Sequence, residues 1–203
     1  MTEMERMLAG KLYIAQGDEI ANGILRARKL VRAFNDSDET DFQRRDELLR
    51  ELLGHAGEGA SINPPFRCDY GFNISVGDRF FANYDCIFID VCPITIGSDV
   101  FFGPRVCLYT AGHPVDADVR NMALEYGKPI SIGSNVWIGG NVVVNPGVTI
   151  GDNVVIGSGS VVTKDIPSGV IAAGVPCRVI REITEADREY WNRQRDEYLA
   201  SKE

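Results

Sequence analysis

The chain has 203 residues, enough for one domain with short extras. It carries 21 basic against 29 acidic residues, a net charge of −8 at pH 7, which excludes an electrostatic nucleic-acid binder and a polybasic membrane-surface protein. Hydrophobic residues at 44% and charged residues at 25% exclude a disordered chain.

No apolar run approaches the ~20 residues of a membrane span. Met1-Thr2-Glu3-Met4-Glu5-Arg6 lacks the charged-then-apolar layout of a signal peptide. The expectation is a soluble, cytoplasmic protein. Five cysteines, Cys68, Cys86, Cys92, Cys107 and Cys177, form no CxxC pair and are odd in number. They read as small buried hydrophobes rather than a disulfide frame or a zinc knuckle.

Residues 1–60 have helical spacing. Met4, Met7, Leu8 and Leu12 recur on one face, as do Ile24, Leu25, Leu30, Val31 and Phe34. Ser37-Asp38-Glu39-Thr40 breaks the pattern before a helix carrying Leu48, Leu49, Leu52 and Leu53. Gly54 and Gly57-Glu58-Gly59 end it, with His55 expected to support its C-terminus.

From about residue 61 to 182 the period becomes six. The run is Ile132-Gly-Ser-Asn-Val-Trp, Ile138-Gly-Gly-Asn-Val-Val, Val144-Asn-Pro-Gly-Val-Thr, Ile150-Gly-Asp-Asn-Val-Val, Ile156-Gly-Ser-Gly-Ser-Val and Val162-Thr-Lys-Asp-Ile-Pro. Val76-Gly77, Ile96-Gly97 and Phe102-Gly103 open earlier hexads, with Phe80, Val100 and Val106 at the fifth positions. Six fits neither an α-helix nor a simple hairpin sheet, but suits a mainly β solenoid of short strands and tight corners. Three faces make an eighteen-residue coil, with stacked residues about 4.8 Å apart. First and fifth residues then point inward, and glycine, or asparagine such as Asn153, suits a corner of positive φ. Cys68 and Cys86, eighteen apart, are expected in one inward ladder. The open ends need covers, supplied at one end by the helical segment 1–60. A C-terminal helix over 183–203 supplies the other, starting at Thr184-Glu185-Ala186-Asp187 and packing Tyr190, Trp191 and Tyr198 against the body.

Between about Gly112 and Lys128 the hexad stops, which predicts a loop protruding near 112–129. His113, the one histidine of the solenoid, stands at its root. Imidazole exchanges protons near neutral pH, so His113 is either a general base or a loop histidine bonding backbone.

These residues resemble the hexapeptide-repeat acyltransferases, closest to the maltose and galactoside O-acetyltransferase branch. Met7-Leu8-Ala9-Gly10-Lys11-Leu12-Tyr13, Phe66 to Ile74, Phe81 to Cys86, Asp90-Val91-Cys92-Pro93-Ile94, and Asn135 through Pro167 carry the resemblance over nearly the whole chain. It implies a left-handed parallel β-helix, a handedness that a six-residue period does not supply. It also implies acetyl transfer from acetyl-CoA to a sugar hydroxyl, as a homotrimer with sites between subunits, without a metal.

Such transfer needs a base, donors for an oxyanion and a groove for the pantetheine arm. The Gly112-His113-Pro114 context resembles the family's catalytic site and makes His113 the base. By the same likeness Asn83 and Asp69 line the acceptor site, Trp137 flanks the pantetheine arm, Gly140 offers an N–H to the oxyanion or thioester, and Ser158 shares the groove. Thr163, Lys164, Arg178 and Arg181 form a late basic group suited to the polyanion coenzyme A. The galactoside branch has acidic residues where Ala15 and Val91 stand, which turns the expectation toward maltose or glucose. Carbonic anhydrases on this fold bind zinc through three histidines, which this solenoid does not supply. The remaining alternatives are another acceptor (a galactoside, an oligosaccharide, an antibiotic or serine) and a non-catalytic scaffold.

Overall fold

Each hexad turns two side chains inward. Ile132, Val136, Ile138, Val142, Val144, Val148, Ile150, Val154 and Ile156 are all buried. Ser160 takes a fifth position and is buried as well. Its hydroxyl donates to Gly157 O at 2.5 Å and accepts from Gly174 N–H at 3.0 Å, so no polar group is orphaned there.

The structure, a computed structural model, describes residues 1–202. The chain begins with α1 (Glu3–Leu8), β1 (Tyr13–Ile14), α2 (Asp18–Asn35) and α3 (Phe42–Leu52). The first turn of a parallel β-helix is β2 (His55–Ala56), β3 (Ser61–Ile62) and β4 (Phe66–Cys68). The second is β5 (Ile74–Val76), β6 (Phe81–Ala82) and β7 (Cys86–Ile89), and the third β8 (Ile94–Ile96), β9 (Phe101–Phe102) and β10 (Cys107–Tyr109). An excursion follows: β11 (Ala111–Gly112), α4 (Ala117–Arg120) and β12 (Leu124–Gly127). The coil resumes with β13 (Ile130–Ile132), β14 (Trp137–Ile138) and β15 (Val143–Val144), then β16 (Thr149–Ile150), β17 (Val155–Ile156) and β18 (Val161–Val162). β19 (Val170–Ala173) and β20 (Arg178–Glu182) close it as an antiparallel pair before α5 (Glu185–Ala200).

Three flat faces result. Face 1 stacks β2, β5, β8, β13 and β16; face 2 stacks β3, β6, β9, β14, β17 and β19, with β20 outermost; face 3 stacks β4, β7, β10, β15 and β18. The late rungs are eighteen residues apart, as in Ile138↔Ile156 and Val144↔Val162, until the closing rung, where Ile156 pairs with Ala172 sixteen positions on. The early rungs are twenty apart, as in Ile62↔Ala82 and Phe81↔Phe101. Cys86 therefore stacks on Phe66, and Cys68 on Phe88, so the two cysteines do not share a ladder position. Cys107 points out of face 3 and is only half-buried, while Cys86, Cys92 and Cys177 are buried.

Corner residues of positive φ include Gly59, Gly147 and Gly159 as well as asparagines such as Asn153, as expected, but the second-position glycines of the hexads have another role. Positive φ falls on Arg79, Asp99, Asn135 and Asn153 at the edge between faces 1 and 2, and on Asp85, Arg105 and Asn141 between faces 2 and 3. The hexad glycines preceding them are needed for closeness. A Cβ on Gly97 would lie 2.7 Å from Gly133 C, and one on Gly133 would lie 2.3 Å from Asp152 Oδ1. Rungs stacked about 4.8 Å apart leave no space there for a side chain.

The ends are covered differently. Phe34 of α2 and Leu48, Leu49 and Leu52 of α3 join the interior apolar cluster under the first turn. His55 lies in β2 beside Ser75, exposed, rather than on a helix end. At the far end α5 does not pack on the body. It has no buried residue, and Tyr190, Trp191 and Tyr198 are exposed. Its apolar residues fall in two separated pairs, 190–191 and 198–199, and form no continuous stripe. Arg181 fastens it by donating to both carboxylate oxygens of Asp187, at 2.6 and 2.7 Å.

Phe88 lies at the centre of the stack, fully buried and edge-on to Phe66 and Phe102 with centroids 5.1 and 5.9 Å away. Phe88→Ala is expected to lower the unfolding free energy by about 3–5 kcal/mol, read from a urea titration.

Candidate active site

The turns at the edge between faces 3 and 1 collect acidic and phenolic groups. Asp69 follows β4 and Asp90 follows β7. Asp90 is fully buried, and its Oδ1 accepts the N–H groups of Asp69 and Tyr70, each at 2.9 Å. Burial pushes its carboxyl up to about 7, although these amides pull the other way. Burial also raises Asp69, with Glu125 adding repulsion and Arg28 opposing.

β1 pairs antiparallel with β12, setting Tyr13 against Glu125. The Tyr13 hydroxyl donates to Glu125 Oε2 at 2.9 Å. Burial is the main reason that Tyr13 and Tyr70 are both pushed well above the ordinary phenol range, with the neighbouring carboxylates adding to it. Both therefore keep their protons at neutral pH.

The predicted loop is a folded excursion. Leu108 pairs with Val144, thirty-six positions on, where one later coil takes eighteen. β11 pairs with β12, and Tyr126 packs so close over Gly112 that a Cβ there would lie 2.7 Å from its ring. His113 comes directly after β11, exposed, with Nδ1 3.3 Å from Leu124 O. A carbonyl oxygen only accepts, so this contact puts the proton on Nδ1 and leaves the lone pair on Nε2. Among the described residues Nε2 has no partner. Neither nearby carboxylate reaches the ring. Asp116 caps α4 through Val119 N–H at 3.0 Å, and Glu125 is held by Tyr13.

The edge between faces 2 and 3 carries a second group. Asn83, Gly103, Gly140 and Ser158 occupy successive corners there. A Cβ on Gly103 would lie 2.6 Å from Gly140 N, and one on Gly139 would lie 2.5 Å from Ser158 Oγ. Gly140 accepts from Gly159 N–H at 2.9 Å, and among the described residues its own N–H has no acceptor. Asn83 Oδ1 accepts from Tyr84 N–H at 2.8 Å. Beside this column the outer side of face 2 stacks Phe81, Phe101 and Trp137, and they line a cleft with Asn83, Phe102 and Gly103. Phe101 and Trp137 are 52% and 57% exposed. Both phenylalanines occupy sixth positions of their hexads, as Trp137 does, so the six-residue period contained the signal that places them beside it.

The sequence-predicted residues thus divide into groups. His113 and Asp69 lie at the face 3–1 edge, with exposed Thr163 and Lys164 at the same edge past β18. Asn83, Trp137, Gly140 and Ser158 lie at or beside the face 2–3 edge. A face 3 strand of three or four residues, roughly 10–13 Å long, separates the two edges within one chain. Arg178 and Arg181 are elsewhere again, on β20, and Arg181 is committed to Asp187. The late basic residues therefore do not form one cluster. Tyr13, Tyr70, Asp90 and Glu125 join the site only through tertiary pairing.

Among the described residues no group of three His, Cys, Asp or Glu side chains is placed to hold a metal ion, and no helix is long and apolar enough to cross a membrane.

Residues 6–57 match the maltose acetyltransferase hexapeptide capping motif, and residues 129–164 match the bacterial transferase hexapeptide model of six repeats. The chain is 47% identical to the galactoside O-acetyltransferase of Escherichia coli K12, over 94% of each chain. It is 54% identical to the crystal structure of a maltose O-acetyltransferase from Clostridium difficile 630, with a TM-score of 0.90 over 91% of this chain and 98% of that one. A galactoside acetyltransferase solved in complex with coenzyme A superposes with a TM-score of 0.90, at 47% identity, over 93% of this chain and 94% of that one.

The glycine column is testable by itself. Gly103→Ala is expected to displace the Gly140 corner and lower the unfolding free energy by about 1–3 kcal/mol, read from a urea titration.

Proposed function

From the maltose and galactoside O-acetyltransferase family, to which this chain belongs, we propose that the protein transfers the acetyl group of acetyl-CoA to a hydroxyl of maltose or glucose, with His113 as general base. The observation that carries this reading is the His113 ring itself. Its Nδ1 faces the Leu124 carbonyl, its Nε2 has no partner among the described residues, and the side chain is exposed.

Nε2 takes the proton of the acceptor hydroxyl as its oxygen attacks the thioester carbon. The Gly140 N–H donates to the oxyanion of the tetrahedral intermediate. Collapse breaks the carbon–sulfur bond, and the leaving thiolate takes the proton back from the imidazolium. The Leu124 carbonyl stabilises that imidazolium and keeps the ring in the useful tautomer.

A base works only within hydrogen-bond reach of the hydroxyl, and the hydroxyl only within about 3 Å of the thioester. His113 and the Gly140 column are too far apart in one chain for this. A homotrimer supplies the missing half, with the His113 edge of one copy meeting the Asn83 and Trp137 edge of its neighbour. Asp69 and Asn83 then bind acceptor hydroxyls from the two sides. The exposed Phe101 and Trp137 rings flank the pantetheine arm, with Ser158 beside it, and Thr163, Lys164 and Arg178 meet the coenzyme phosphates.

The maltose or glucose acceptor is favoured over a β-galactoside by position 91. Val91, buried with Met7, Tyr13, Ile20 and Tyr70, stands where the galactoside branch has an acidic residue, so this chain offers no carboxylate there to an acceptor hydroxyl.

Thiol release from acetyl-CoA, with glucose, maltose, a β-galactoside or no acceptor, tests the reading. Release is expected to depend on glucose or maltose. His113→Ala is expected to lower kcat by about 10²–10⁴ with the acetyl-CoA KM unchanged. Loss of acetyl-CoA affinity at normal turnover sinks the base assignment. No release with any of these sugars moves the function to another acceptor or to a scaffold.

A further inference from the structure

The turns between faces 3 and 1 do not all have one length. From Val144 to Val148, successive inward residues are four positions apart; from Phe88 to Ile94 they are six apart. The turn from Cys68 to Ile74 has the same extra length, since Cys68 stacks on Phe88 and Ile74 on Ile94. A longer turn carries backbone amides out of the ladder, and a buried amide needs a partner. In the short turn Asn145 N–H simply donates to Val162 O on the next rung, at 3.0 Å. In the long turn the N–H groups of Asp69 and Tyr70 both donate to Oδ1 of Asp90. The same turn is tied a second time, by the Asn73 side-chain amide donating to Asp90 O at 2.6 Å.

Asp90 is an expensive way to fill this space. It is fully buried, and among the described residues its Oδ2 has no partner. Deep in a protein an unpaired carboxyl oxygen costs free energy that an apolar residue would avoid. What the carboxyl supplies, and an apolar side chain does not, is one acceptor shared by two successive amides.

We propose that Asp90 is a positioning residue of the acceptor site, whose Oδ1 holds the Asp69–Tyr70 turn so that the Asp69 carboxyl meets the acceptor in one fixed geometry. This rests on the reading of Asp69 as an acceptor-binding residue. Asp90 itself touches no substrate.

The test compares Asp90→Asn, which keeps the acceptor oxygen, with Asp90→Ala, which removes it. Asp90→Leu replaces the alanine variant should that one not fold. Amide hydrogen exchange is followed at Asp69 and Tyr70, with KM for maltose and for acetyl-CoA measured in parallel. In Asp90→Ala both amides are expected to exchange about tenfold faster, and the maltose KM to rise about tenfold with the acetyl-CoA KM unchanged. Asp90→Asn is expected to stay near wild type on both readouts. Unchanged exchange, an unchanged maltose KM, a parallel rise in both KM values, or an asparagine variant no better than alanine overturns the proposal. Asp69→Asn separates the two readings. If it leaves the maltose KM unchanged while Asp90→Ala still speeds exchange, Asp69 is not an acceptor residue, and the purpose assigned to Asp90 falls with it.

Discussion

Everything in this molecule depends on the ladder between rungs. Each short strand bonds the rung before and after it, as when Gly97 N–H donates to Ile132 O and Gly133 N–H to Ile150 O. No rung satisfies its backbone alone, so the rungs must lie at ladder spacing everywhere. That spacing dictates the rest. It forces glycine where two corners touch, aligns the inward aliphatic columns, and leaves both ends of the stack open until α2, α3 and the β19–β20 pair cover them.

The ladder is uniform except along one edge, and the candidate site lies where its turns are lengthened or interrupted. The edge between faces 3 and 1 carries the long turns with Asp69 and Asp90, and then the excursion bearing His113. The opposite edge stays regular, and its regularity serves another purpose. The glycine corners let successive rungs approach closely, the Gly140 N–H has no acceptor among the described residues, and the sixth-position aromatics stand in a row beside it. One edge carries the candidate reactive groups and the other an even track, and within one chain a face 3 strand lies between them.

The repeat was legible because its signal is additive. First and fifth residues of every hexad are apolar or small, and each is buried, down to Ser160. Three details were not. The twenty-residue early coils escaped because the two extra residues sit in the turns 69–73 and 89–93, whose mixed polar and apolar residues follow no six-residue period, so the expected Cys68–Cys86 ladder does not form. The positive-φ corners were legible at Gly59, Gly147, Gly159 and Asn153, but the second-position glycines were not, since sequence does not distinguish a positive φ from a crowded Cβ. The packing of Tyr190, Trp191 and Tyr198 was inferred from their apolar character alone, and that fails where aromatic residues lack a continuous stripe. His113 was legible by its isolation. Glu125, Tyr13 and Asp90 were not, because β1–β12 pairing and a carboxyl reaching back across twenty-one positions are long-range contacts.

The late rungs are interchangeable in a way the early ones are not. From Ile130 to Val162 the inward residues fall at an unbroken two–four alternation and the rungs pair eighteen positions apart, while the closing rung is shorter, with Ile156 pairing Ala172 sixteen positions on. A segment of eighteen residues is therefore a unit of length for the rod. Duplicating one between β15 and β18 would lengthen the molecule by a single rung, about 4.8 Å, and carry β19, β20 and α5 outward as a block. The His113 edge would stay as it is. The same duplication among the first three turns would have to reproduce Asp90 and its paired amides as well. Growth of this architecture is thus permitted at one end and obstructed at the other.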